Sequence, residues 1–235
     1  MADRTLDKTP DRIAGMFDAI APRYDLLNHL LSAGIDRRWR KKAIASLELT
    51  GRETLIDVCT GTADVALEAR RAARVLGVDF AGAMLTLGLR KVREAGEQGR
   101  IALVRGDATR IPARDHSADA ATVAFGIRNV QEPEVACAEM ARVLRPGGRL
   151  AILEFGVPRI PGISELYLWY FRRVLPLAGR LISGHTGAYS YLPASVGTFP
   201  PPAVFMALLR RSGFAEVRAV PLTFGIVYLY TARKA

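Results

Sequence analysis

The stretch Thr54-Leu-Ile-Asp57-Val-Cys59-Thr-Gly61-Thr62-Ala63-Asp64 opens with a short, mostly apolar run that carries an acid near its end and then turns through a glycine. Val75-Leu-Gly-Val-Asp79 repeats the plan. Short apolar runs bounded by turn residues read as strands buried on both faces, the signature of a parallel sheet rather than a half-solvated one. Between the two runs, Ala63 to Arg74 is spaced as a helix, and Gly82 to Ala95 is another. Ile101-Ala-Leu-Val-Arg105 is the third strand, Ala118 to Phe125 the fourth, and Arg149-Leu-Ala-Ile-Leu-Glu154 the fifth, with a helix from Glu132 to Leu144 opened by Pro133. Such alternation predicts an α/β fold with a largely parallel sheet covered on both sides. After a helix from Ala203 to Arg211, the runs Phe214–Pro221 and Phe224–Ala232 are joined by so short a turn that they must pair antiparallel, making seven strands in all.

Upstream, residues 1 to about 50 carry apolar residues at helical spacing: Met16, Phe17 and Ile20, then Leu26, Leu27, Leu30 and Leu31, punctuated by Pro22 and Gly34. A chain of 235 residues, half of them apolar, can bury a real core, which excludes disordered and fibrous classes. Cys59 and Cys137 are too few for a disulfide framework and lack metal-site or redox-pair spacing, which fits a reducing cytoplasm. The polar N-terminus has no signal-peptide core, and no apolar run reaches the roughly 18 residues of a membrane span, so a cytoplasmic protein is expected. The net charge of +10 favours an anionic partner, either a membrane surface or nucleic acid. A basic nucleic-acid-binding protein is the reading from a different functional class. Against it stand the expected lack of a concentrated Lys/Arg run and of an aromatic RNA-stacking motif.

An open α/β sheet binds its ligand at the carboxyl ends of its strands. The first strand, Thr54–Cys59, carries Asp57 near its end, with the Gly61–Thr62 backbone beyond it; the second ends at Asp79, 22 residues after Asp57 and suited to accept both hydroxyls of a ribose. A dinucleotide pyrophosphate calls for G-x-G-x-x-G, and this turn offers Gly61 alone. S-adenosylmethionine has no phosphate and needs a close-approach glycine, a ribose-binding acid and polar groups for its amino-acid end. Gly61, Thr62, Asp57 and Asp79 supply these, and Arg105-Gly-Asp107-Ala108 after the third strand offers Asp107 and Ala108 to an adenine.

Four segments carry a wider resemblance. They are Tyr24-Asp-Leu-Leu-Asn28-His-Leu-Leu-Ser32 with Trp39; Phe125-Gly-Ile-Arg128-Asn129-Val130; Arg142-Val-Leu-Arg-Pro-Gly-Gly148 running into Leu153-Glu-Phe155; and Tyr189-Ser-Tyr191-Leu-Pro-Ala-Ser195. In these the chain resembles, over nearly its whole length, the ubiquinone/menaquinone biosynthesis C-methyltransferases, a branch of the class I S-adenosylmethionine-dependent methyltransferases. The resemblance implies a Rossmann-like sheet, a helical lid over residues 1–50, and a methyltransferase domain over 51–235 with a substrate-side insertion at about 158–200. It also implies cofactor contacts at Thr62, Asp79, Asp107 and Ala108. The chain departs from the family pattern at Asp36, where relatives often have His, at Gly156 (Ser), at Ala124 (Ser), and at Cys59 and Ala63 (Gly), the last two expected to narrow the cofactor site.

The implied acceptor is a prenylated hydroquinone, demethylmenaquinol first and the benzoquinol of ubiquinone synthesis second. Another small hydrophobic acceptor is the rival within enzymes. A phenolic carbon becomes nucleophilic once its hydroxyl loses a proton, so the site needs a proton acceptor and a holder for the oxyanion. Arg128 and Asn129 suit the second task, with an ion pair from Arg128 to Glu132 or Glu134 as the purely structural alternative. Tyr24, Asp25, His29 or a held water suits the first. Asn28, Tyr189 and Tyr191 are the expected substrate contacts. Residues Leu166 to Leu177 form an apolar helix that turns basic at Arg172 and Arg173, which fits a prenyl channel meeting a membrane surface and equally fits core or homodimer packing. No pair of histidines has metal-ligand spacing, and no metal is assigned.

Overall fold

The computed structural model describes residues 6–32, 34–170, 173 and 186–235. The strands are β1 (Thr54–Val58), β2 (Arg74–Asp79), β3 (Ile101–Arg105), β4 (Ala118–Ala124), β5 (Leu144–Phe155), β6 (Phe214–Leu222) and β7 (Val227–Lys234). They form one sheet in the order β3-β2-β1-β4-β5-β7-β6, in which only β7 runs against its neighbours. The chain starts at β1, moves outward to β3, then returns to β4 on the other side of β1. The strand order thus reverses between β1 and β4, and a crevice opens above their carboxyl ends.

Successive side chains point to opposite faces of a strand, so one strand feeds two cores. Ile56, Val58, Val123, Leu150 and Ile152 face one core, covered by α5 (Pro133–Val143) through Cys137 and Met140 and by α8 (Pro202–Arg211) through Phe205 and Leu209. Leu55, Val75, Ala151 and Leu153 face the other, covered by α2 (Ile35–Ser46) through Trp39 and Ala43, by α3 (Asp64–Glu68) through Ala66, and by α4 (Gly82–Glu94) through Val92. The remaining helices are α1 (Pro10–Leu31), α6 (Ile163–Trp169) and α7 (Thr186–Thr198).

Several boundaries differ from expectation. The helix expected from Ala63 to Arg74 is the short α3; Ala63 sits at φ +66 before it, and the Ala69 carbonyl accepts a hydrogen bond from Arg100 Nη1 at 2.8 Å. Pro22 does not interrupt α1, because it lies on the exposed side, where water can satisfy the carbonyl one turn back. β5 begins at Leu144, five residues early, and its register with β4 shifts between Ala118 and Ala120 to absorb the Pro146-Gly-Gly148 turn. β7 starts at Val227 because Thr223, Phe224 and Gly225 all take positive φ in a 3-10 turn. The basic residues are also less dispersed than they read: Arg37, Arg38, Lys41 and Lys42 share the exposed face of α2, opposite the buried Trp39 and Ala43.

Candidate active site

Two adjoining cavities occupy the carboxyl edge of the sheet. One, of about 420 Å³, is lined by Cys59, Gly61, Asp79, Phe80, Phe125 and Asn129 among others, with Phe17 of α1 as part of its wall. The second, of about 470 Å³, is lined by Lys8, Phe80, Asp107, Ala108, Thr109 and Asn129 among others. Phe80 and Asn129 belong to both.

The turn after β1 is unusual. Cys59, Gly61 and Ala63 all take positive φ, at 55°, 55° and 66°, and the turn is drawn back over β2 by a bond from Thr60 N to Val78 O at 3.0 Å. Gly61 N then donates to Asp79 Oδ2 at 2.8 Å, and Ala81 N to Asp79 Oδ1 at 2.9 Å. A Cβ at Gly61 would meet nothing within 4 Å, so the turn is open to close approach by a ligand. Burial pushes the Asp79 carboxyl up, the two backbone donors pull it back, and Asp18 adds a smaller upward push. Its oxygens keep lone pairs for further donors, as a ribose diol would require. Asn129 Oδ1 is buried with no partner in the protein, at the junction of the cavities. These features fit a bound nucleoside.

Of the expected cofactor residues, Gly61, Asp79, Asp107 and Ala108 line the cavities, while Asp57 and Thr62 do not. Asp57 lies beneath the turn and accepts from Thr60 Oγ1 at 2.6 Å. Burial pushes its carboxyl up to about 7, against the pull of Thr60 and with the nearby Asp79 adding to the rise. The Thr62 hydroxyl is turned away, donating to Asp25 Oδ1 of α1 at 2.7 Å. Asp25, expected as an alternative proton acceptor, has its other oxygen on Lys91. Ala63 does not narrow the cleft: it is fully buried in the second core, where its Cβ backs onto Gly88 of α4. Cys59 does line the cavity, and a Cβ at Gly126 would fall 2.3 Å from its own Cβ. Asp36 is paired with Arg40, and Tyr228 explains Gly156, because its ring would lie 2.8 Å from a Cβ there.

On the far side of Asn129, the chain leaves β4 through Phe125 at φ +61 and a 3-10 turn, Ile127–Asn129. Arg128 does not pair with Glu132 or Glu134, as the structural alternative had it. Its Nη1 binds Glu154 Oε1 at 2.6 Å and the Phe125 carbonyl at 2.5 Å, its guanidinium lies 5.3 Å from the Phe155 ring centroid, and its Nε is buried without a partner. Glu134 instead meets Arg211. Glu154, fully buried at the end of β5, also accepts from the backbone N–H groups of Arg128 and Phe155. Sequence reasoning missed it, although it ends a strand at the same edge as Asp57 and Asp79. Phe125, Phe155 and Trp39 form an aromatic cluster with centroids 4.6 to 6.3 Å apart, of which Phe125 lines the first cavity. The Tyr191 hydroxyl is buried without a partner; burial raises its pKa, and the fields of Arg128 and Glu154 reach it. The side chains of Tyr24, Asn28, His29 and Tyr189 lie outside those described, as does Arg172.

The ubiE/COQ5 methyltransferase family model matches residues 5–234. The chain belongs to this family. The ubiquinone/menaquinone biosynthesis C-methyltransferase UbiE of Geobacter sp. strain M21 is 46% identical over 97% of this chain and 99% of its own length. The demethylmenaquinone methyltransferase of Thermus thermophilus is 45% identical over 92% of this chain and 98% of its own. Among solved structures, a SAM-dependent methyltransferase from Aquifex aeolicus superposes with a TM-score of 0.61 at 18% identity, over 83% of this chain and 89% of its own, which speaks for the fold. This family member is a methyltransferase built on the seven-stranded sheet described above.

Two outcomes follow for the turn. Gly126→Ala should destabilise the protein by ~1–3 kcal/mol through overpacking against Cys59. The double variant Cys59→Gly, Gly126→Ala should recover most of that loss in urea unfolding, because the blocking Cβ and a left-handed non-glycine residue both go. The second concerns Asp57, whose folded carboxyl titrates near 7 against a free value of 3.8. The native state holds a proton that the unfolded chain has released across that window, so stability is full below it and falls as pH rises through it. Urea midpoints should drop between about pH 4 and pH 7 and level off above in the wild type, and drop less in Asp57→Asn.

Proposed function

We propose that this protein transfers the methyl group of S-adenosylmethionine to a ring carbon of a prenylated hydroquinone in quinone biosynthesis, with demethylmenaquinol as the acceptor. The observation that carries the reading is one cavity at the carboxyl edge of the sheet that brings Asp79 and the Gly61 turn together with Phe125 and Asn129, with Arg128 anchored beside it on the Phe125 carbonyl and Glu154. Near full-length relatives named for demethylmenaquinone methylation favour the naphthoquinol over the benzoquinol.

S-adenosylmethionine supplies an electrophilic methyl on sulfonium. Asp79 accepts the ribose hydroxyls, Asp107 and Ala108 border the adenine, and Gly61 with the Thr62 backbone receives the amino-acid end, while Asp57 supports the turn from below. The quinol ring lies against Phe125 and Phe155. Its oxyanion is held by Arg128 and by the amide of Asn129, whose positive field lowers the cost of losing the phenolic proton. Arg128 itself stays charged and is no base. Tyr24 on the lid helix relays the proton, and Asn28, Tyr189 and Tyr191 contact the substrate. Glu154 acts through Arg128: with its two backbone donors it fixes the guanidinium plane, so that charge stabilisation needs no reorganisation during the reaction.

A long prenyl chain is collected from a bilayer. Among the described residues no single helix is long and apolar enough to cross a membrane. Peripheral contact is proposed through the cation quartet Arg37, Arg38, Lys41 and Lys42 on α2, a face suited to anionic headgroups. Co-sedimentation with phosphatidylglycerol vesicles should fall with rising salt and drop sharply when the four residues become Gln. Salt-independent binding would refute the electrostatic contact.

The central test incubates the purified protein with methyl-labelled S-adenosylmethionine and a panel of reduced naphthoquinols and benzoquinols, with label read in the organic phase. Incorporation is expected first into demethylmenaquinol; none into any quinol, with cofactor bound, removes the acceptor assignment. Arg128→Met should keep cofactor affinity and lower kcat by about 100-fold or more, the scale of a lost oxyanion donor. Because it strands Glu154 as an unpaired buried charge, it should also cost ~3–5 kcal/mol of stability. Arg128→Met with Glu154→Leu should regain stability and remain inactive, which separates chemistry from folding.

A further inference from the structure

Several charges beneath the cofactor turn play no part in the reaction, yet they converge on one lysine. Lys91, near the end of α4, donates to Asp25 Oδ2 of α1 at 2.9 Å, to Thr62 Oγ1 in the turn after β1 at 3.1 Å, and to Asp64 Oδ1 at the first residue of α3. An ammonium has three N–H donors, and each goes to a different segment of the chain. The Thr62 hydroxyl passes its own proton to Asp25 Oδ1, and Arg40 of α2 takes the other oxygen of Asp64.

The opposite end of α4 is held by the same lid helix. Asp18 Oδ1 accepts from Ala83 N at 2.8 Å, a cap that α4 cannot provide for itself because its own N-cap residue is Ala81. Asp18 and Asp25 are seven residues apart, two turns along one face of α1. α1 therefore grips α4 at both ends, and at the second grip it also holds the cofactor turn. Phe17, beside Asp18, is a wall of the cavity that contains Gly61 and Asp79, so that cavity is complete only with α1 seated.

We propose that Lys91 is a positioning residue that links the seating of α1 to the shape of the cofactor turn, so that cofactor binding and lid closure form one coupled equilibrium. The proposal rests on the assignment of the Gly61–Asp79 cavity to S-adenosylmethionine. Lys91 touches no ligand; it acts by holding the Thr62 side chain, and with it the backbone N–H groups around Gly61, in register with Asp79. The linkage is reciprocal: bound cofactor holds α1 down, and a loosened α1 weakens cofactor. With Lys91 and Asp25 side chains 23% and 34% exposed, the pair is open enough to respond to salt.

The test uses the full chain. S-adenosylmethionine and S-adenosylhomocysteine are titrated calorimetrically into wild type, Lys91→Met, Asp25→Asn and the double variant, with amide exchange across residues 10–25 followed in each with and without ligand. Each single variant should bind about five- to tenfold more weakly. The double variant should be no weaker than Lys91→Met, and ligand-dependent protection of α1 should be lost. In turnover the loss should fall on KM for the cofactor more than on kcat, a split that general destabilisation does not produce, and Lys91→Arg should restore part of it. Wild-type affinity in both single variants overturns the proposal, and so does weakened affinity with α1 protection still following ligand. Asp79→Ala serves as the control: if it binds cofactor normally, the cavity assignment fails and takes this proposal with it.

Discussion

The carboxyl edge of the sheet is referenced to one carboxylate. Asp79 ends β2 and accepts Gly61 N from the turn after β1 and Ala81 N from the entrance to α4, so two loops that form the cleft are fixed to the same two oxygens. The parallel register makes this geometry available by pairing Asp57 with Gly77 and Val58 with Val78, which brings the end of β1 level with the last turn of β2. Gly77 is part of the same constraint. A Cβ there would come within 2.9 Å of the Thr60 hydroxyl and 2.5 Å of a Leu103 methyl, so only glycine lets the turn fold back across β2. Desolvation disfavours a charge in this place and pushes the carboxyl up, and the backbone donors pull it part of the way back.

The strands were legible because a sheet covered on both faces must be apolar in unbroken runs. β3 was bounded to the residue, and β1, β2 and β4 to within one. Boundaries failed where backbone conformation, which apolar spacing does not report, decided the matter: the left-handed Ala63 ahead of α3, the shifted register in β5, and the run of positive φ before β7. At the site, the acids at strand ends were legible for the same reason the strands were. Side-chain direction was not. Thr62 and Asp25 read as cofactor and substrate residues, yet they turn toward each other, because a hydroxyl and a carboxylate on adjacent elements satisfy one another more cheaply than either satisfies an apolar core.

Glu154 shows the same limit from the other direction. In sequence it is one polar residue at the end of an apolar strand, and Arg128 had two nearer acids in Glu132 and Glu134. The tertiary choice follows from burial. Arg128 is 7% exposed, and a guanidinium that far from water requires a carboxylate equally far from water, whereas Glu134 is exposed enough to be served by Arg211 at the surface. The pair is held further by Phe155 beneath the guanidinium and by the Phe125 carbonyl. With so many contacts, Arg128 has little freedom to adjust, and a rigid charge is the kind that stabilises a developing oxyanion at least reorganisation.

The departures from the family pattern at Cys59 and Gly156 become one argument when taken with their neighbours. A left-handed turn at residue 59 favours glycine, and a side chain there must find room on the cleft side, where the space a residue 126 side chain would fill is left empty by Gly126. At Gly156, Tyr228 fills the space that a side chain would need. In both places one side chain fills a volume that the facing glycine leaves open, and a second Cβ there would overpack it.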